Sequence, residues 1–79
     1  MKKNKKRIKI ACDFMNRCRK EHKKDIDYKK LLDAHKRIAI MLIRGKSVKE
    51  IYNMKNYIMY ISDAHWLSER IGTKDYAKI

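Results

Sequence analysis

The segment 31–44, LLDAHKRIAIMLIR, limits what this chain can fold into more than any other. Leu31, Leu32, Ala34, Ile38, Ala39, Ile40, Met41, Leu42 and Ile43 all fall within it. Helical spacing gathers most of them into one broad apolar stripe. A helix so apolar in a 79-residue chain needs cover on more than one side, and the segments flanking it have the amphipathic pattern to supply that cover. Proline is absent and there are only two glycines, so little interrupts helix formation. The expected fold is a small all-α bundle of three helices, or four if the chain turns near Asn56. It forms a single helical domain over residues 1–79, with a basic N-terminal arm at 1–6 and a loose tail at 73–79.

Around the central helix the local signals are uneven. Ile8, Ala11, Cys12, Met15 and Cys18 recur every three or four residues, which predicts a helix over 7–24. Asp25 or Asp27 is placed to cap the helix that follows. Gly45 ends that helix, as a glycine just past a C-terminus commonly does. Ser47 and Glu50 stand at the N-cap and N3 spacing of a capping box, so a new helix begins at Val48. Ile51, Met54, Ile58, Ile61 and His65 then continue at spacings of three and four, which favours one helix from 48 to 71 over a break near Asn56.

The formal charge is +13, and it is unevenly spread: +9 over residues 1–24, +3 over 25–46 and +1 over 47–79. Such asymmetry points to a polyanionic partner. The basic residues expected to meet it are Lys2, Lys3, Lys5, Lys6, Arg7, Lys9, Arg17, Arg19, Lys20, Lys23 and Lys24. Contacts of this kind go to the phosphate backbone and supply affinity rather than base choice. The longest apolar run, residues 38–43, is six residues long, against the about 20 needed to cross a membrane, so no span is expected. No secretory signal is visible, and a cytoplasmic location is expected.

Catalytic and metal-ligating patterns are missing. Glycine is too scarce for a phosphate cradle, and paired carboxylates are absent. Cys12 and Cys18 are six apart and read as buried thiols in a reducing compartment, without a disulfide. Cys18 and His22 are close enough on a helix to touch, but nothing orients the histidine further. His22, His35 and His65 are scattered, and His35 and His65 read as apolar-side residues that helix packing could bring together. The expectation is a non-enzyme with no cofactor and no metal.

Residues 45–51, GKSVKEI, resemble the opening of the scaffold helix in helix-turn-helix regulators of the LuxR type and the sigma-region-4-like type. The resemblance implies a DNA-binding regulator, with DNA favoured over RNA, and small size and composition suggest a phage or mobile element as its context. The candidate recognition helix, 57–71, carries Asp63 and Glu69 against Arg70 alone, and is poorly suited to a phosphate-lined groove. The leading reading is therefore a small basic nucleic-acid-binding protein that uses its N-terminal arm and first helix. A second reading is a protein-interaction module of the inhibitor or immunity type, meeting a partner or a second copy through Tyr57, Met59, Tyr60 and Trp66.

Overall fold

Two long helices frame the molecule, which is described here from a computed structural model covering residues 2–71, with side chains from residue 5 onward. Helix α1 spans Lys2–His22 and α2 spans Tyr28–Ile43. They are antiparallel neighbours. Arg7, near the start of α1, donates to the carbonyls of Leu42 (2.7 Å) and Lys46 (3.3 Å), and Phe14, midway along α1, stacks on His35. The Arg7 guanidinium thus satisfies carbonyls at the negative end of α2. One side of the pair is closed by a small cluster of Ala11, Met15 and Ala39, edged by Leu32 and Ile43. The other side holds the main core: Ile10, Phe14, Ile38 and Leu42 meet Val48, Ile51, Met59, Ala64 and Leu67.

The turn after α2 follows directly from its residues. Gly45 has φ +95°, a left-handed conformation that costs an L side chain energy. Its N–H reaches the Leu42 carbonyl (3.1 Å), and the Lys46 N–H reaches that of Met41 (3.0 Å), which is the Schellman closure. Two residues on, the Glu50 N–H donates to Ser47 Oγ (3.1 Å) while the Ser47 N–H donates to Glu50 Oε1 (3.4 Å), completing the capping box of α3, Val48–Tyr52. At the start of α2, Asp27 holds the N-cap position without a side-chain hydrogen bond.

The continuous helix expected over 48–71 is not formed. Helix α3 stops after five residues, residues 53–60 are irregular, and α4 spans Ile61–Ile71. A straight helix over 24 residues would extend about 36 Å and would keep Ile58 and Ile61 on the stripe of Ile51. Both are instead exposed, while Met59, Ala64 and Leu67 turn inward. The break allows α4 to fold back over α1, and brings Asp63 to the end of α1 and the middle of α2. The expected tail at 73–79 lies outside the described residues.

Replacing Gly45 with alanine tests the turn. A Cβ there would meet nothing within 4 Å, so the cost is purely one of backbone conformation. Gly45→Ala should lower stability by about 1 kcal/mol in urea denaturation, and Gly45→Asn by less. An unchanged midpoint for Gly45→Ala would contradict the left-handed turn.

Candidate functional site

Two features outside the apolar core carry chemistry: a basic outer surface and a polar cluster between helices. On α1, Lys5, Lys9 and Lys20 lie along the face opposite its core stripe, with Asn16 between them; Lys23 follows just past the helix end, and all are exposed. At 1.5 Å per residue the helical part of this row, from Lys5 to Lys20, runs about 22 Å. Lys6, Arg19 and Lys24 flank it and are also exposed. Lys9 sits 3.9 Å from Asp13, and Arg19 donates to Asn16 Oδ1 (3.3 Å). The outer face of α2 adds exposed Lys29, Lys30, Lys36 and Arg37, and exposed Arg44 caps its C-terminus. Two of the basic residues singled out in the sequence are engaged within the fold: Arg7 on the carbonyls that end α2, and Arg17 on Asp63. The side chains of Lys2 and Lys3 lie outside the described residues.

The polar cluster is centred on Asp63, in the first turn of α4. This carboxylate is buried, although the sequence reading set it with Glu69 among the acids of a candidate recognition helix. Its Oδ1 accepts from Arg17 Nε at 2.9 Å. Its Oδ2 lies 3.3 Å from His22 Nε2 and 3.5 Å from His35 Nε2. His22 Nδ1 in turn meets Asp25 Oδ2 at 3.3 Å. His35 is fully buried, its ring stacked on Phe14 with centroids 4.8 Å apart and planes 6° from parallel, and its Nδ1 has no hydrogen-bond partner. The ring of His22 packs on Tyr60 with centroids 4.8 Å apart. Burial alone would push the Asp63 carboxyl up. Hydrogen bonds from His35, Arg17 and His22 outweigh it and hold the group at about 2.

Several expectations are corrected here. His35 does not meet His65, which is exposed with Glu69 Oε1 at 4.0 Å; its partner is His22, from a different helix. The histidines are therefore not scattered, and His22, His35 and Asp63 each place one ligand atom within 4.8 Å of the others. Of the two thiols, Cys18 is buried, and burial, followed by the Asp63 charge, pushes its thiol up; Cys12 is exposed. Tyr57, Met59, Tyr60 and Trp66 do not share one exposed surface. Met59 is buried and Tyr57 packs against the core. Trp66 is half-buried, with the Arg70 guanidinium 3.9 Å and that of Arg17 5.7 Å from its ring centroid. Tyr60 is exposed, but its neighbours are Ile58 and Ile26, which border a surface cavity of about 340 Å³ together with Leu31. Ile26 is fully exposed, a feature the sequence reading did not single out.

Compared with protein-family models, with curated proteins and with solved structures, the chain matches none. Its function is therefore argued from its own residues. Among the described residues, no helix is long and apolar enough to cross a membrane.

Acid titration isolates the contribution of Asp63. Its carboxyl lies at about 2 in the fold against 3.8 when unperturbed. The stability it contributes is complete above about pH 5 and is lost as pH falls through 3.8 toward 2, amounting to about 2 kcal/mol. Urea midpoints measured between pH 5 and pH 2 should fall more steeply for the native chain than for Asp63→Asn. At neutral pH, Asp63→Ala strands Arg17 and two histidines and should cost about 3–5 kcal/mol. Parallel pH profiles for the native chain and Asp63→Asn would remove the carboxylate from this role.

Proposed function

We propose that the protein is a small, non-enzymatic nucleic-acid-binding protein that grips the phosphate backbone through the outer face of α1, with the basic face of α2 extending the field. The observation that carries this reading is the division of its cations. Arg7 and Arg17 are used to hold helices together. Lys5, Lys6, Lys20, Lys23 and Lys24 are exposed and make no ion pair among the described residues. Unpaired ammonium groups held along α1 and just past its end raise the free energy of the folded chain through self-repulsion, and a polyanion relieves that repulsion. Duplex DNA is the proposed substrate, and regulation, in a phage or other mobile element, is the proposed role. The resemblance to helix-turn-helix regulators enters only as a supporting analogy. The Gly45 turn and the Ser47–Glu50 box that carry it have a local structural use of their own.

A second reading, a protein-interaction module, is favoured by a different observation: Ile26, Ile58 and Tyr60 form an exposed apolar rim around a cavity. This replaces the Tyr57, Met59, Tyr60 and Trp66 surface as the face such a partner would meet.

Fluorescence anisotropy with duplex DNA, single-stranded DNA and hairpin RNA, each over a range of salt, separates the two. Under the nucleic-acid reading, duplex DNA binds best. Lys20→Glu, Lys23→Glu and Lys24→Glu together weaken it by at least about tenfold and flatten the salt dependence, while Ile26→Asp leaves it unchanged. Binding that ignores the charge reversals, or shows no preference among the three nucleic acids, would defeat the proposal and turn attention to the Ile26 face.

A further inference from the structure

The geometry around Asp63 points to a metal site: we propose that His22 Nε2, His35 Nε2 and Asp63 Oδ2 bind a divalent cation of the zinc class and so tie α1, α2 and α4 together. The three atoms lie within 4.8 Å of one another. The two edges that share Asp63 Oδ2 measure 3.3 and 3.5 Å. Ligands at about 2.0–2.1 Å from a tetrahedral zinc stand about 3.3–3.4 Å apart, so these edges already have the required length. Only the edge between the two imidazoles must shorten, and His22 is the more accessible of the two rings.

The surroundings match those of a metal site. Asp25 faces His22 Nδ1 at 3.3 Å, the carboxylate–histidine arrangement that orients a ligating imidazole. Arg17 occupies Asp63 Oδ1 and leaves Oδ2 for the ion. Stacking on Phe14 fixes the His35 ring. Both ring nitrogens of His22 face a carboxylate oxygen at 3.3 Å, Nδ1 that of Asp25 and Nε2 that of Asp63, and an imidazole with a single N–H can donate to only one of them. Two acceptors 3.3 Å apart repel unless a proton or a cation lies between them. A metal ion satisfies this pair and His35 Nε2 together.

Two imidazoles and one carboxylate select zinc, cobalt or nickel over calcium and magnesium, which prefer all-oxygen shells. Cys18 is not part of the group: the ligand atoms that converge are those of His22, His35 and Asp63. Three protein ligands leave a position for water, and a cavity is bordered by Asp25 and Tyr60, the two residues that His22 contacts on that side. The nearby Arg17 cation opposes a second positive charge, so affinity should fall below that of an all-thiolate structural site.

The test uses the full chain, free of any polyhistidine tag and stripped of metal. Titration with Co²⁺ should produce visible d–d absorption that saturates at a single ion per chain and is displaced by Zn²⁺, and Zn²⁺ should raise the melting temperature where Mg²⁺ does not. His22→Gln should abolish the absorption while retaining the helical circular dichroism. His65→Gln should leave it intact, and Asp25→Asn should weaken binding about tenfold or more. Absence of the absorption, its survival in His22→Gln or its loss in His65→Gln would overturn the proposal. Because His22 is partly accessible, its variant remains informative even if Asp63→Asn fails to fold. The outcome is independent of whether the basic faces bind nucleic acid.

Discussion

A single buried carboxylate organises the C-terminal half of this protein. Asp63 belongs to α4, yet its partners come from the end of α1 (Arg17 and His22) and the middle of α2 (His35). Taking a carboxylate out of water costs several kcal/mol, and only good geometry and further hydrogen bonds offset that cost. Both oxygens of Asp63 are engaged, and it sits in the first turn of a helix, where a negative charge is favoured. Apolar contacts of Ala64 and Leu67 would hold α4 against the pair in more than one orientation. The carboxylate selects one of them.

The same economy governs the cations. A chain of +13 must live with its own repulsion, and a domain of 79 residues has little surplus stability. Two arginines are drawn inward where their charge is useful: Arg7 against the negative end of α2, Arg17 against Asp63. Arginine suits these sites because its fork reaches carbonyls and carboxylates with directed N–H groups. The exposed positions on α1 and α2 are mainly lysine, a flexible charge that tracks a phosphate backbone without fixing a geometry. The composition thus hides a division of labour that appears only in three dimensions.

Much of the framework could be read from local pattern. Helix α2, the Gly45 turn and the Ser47–Glu50 box appear where periodicity and capping residues place them, because each depends on neighbours a few residues away. The break at 53–60 was legible only as the alternative of a turn near Asn56, which the periodicity disfavoured. The spacing of Ile51, Met54, Ile58 and Ile61 satisfies a helix, and the asparagines resist it only weakly. What decides against continuity is the burial of Met59, Leu67 and Asp63 against α1 and α2, which periodicity cannot weigh. His22 was obscured for a related reason. In sequence it stands amid lysines, and the residue that draws it inward lies 41 positions later. Asp63 likewise reads as one more surface acid until Arg17 and two imidazoles are found around it. The exposure of Ile26 also had no signal, since an isoleucine between two aspartates reads as a turn residue of no special kind.

The placement of the two thiols makes them chemically unequal. Cys18 is sealed among core side chains beside a carboxylate, which disfavours the thiolate that reagents attack. Cys12 stands exposed midway along α1, at the edge of the shallow groove it shares with Met15, Arg19 and Ala39. The folded chain therefore offers a maleimide dye or spin label one address, on the helix that carries most of the charge. Modification of the second thiol becomes a clock for unfolding, since it proceeds only as fast as α1 parts from α2 and α4.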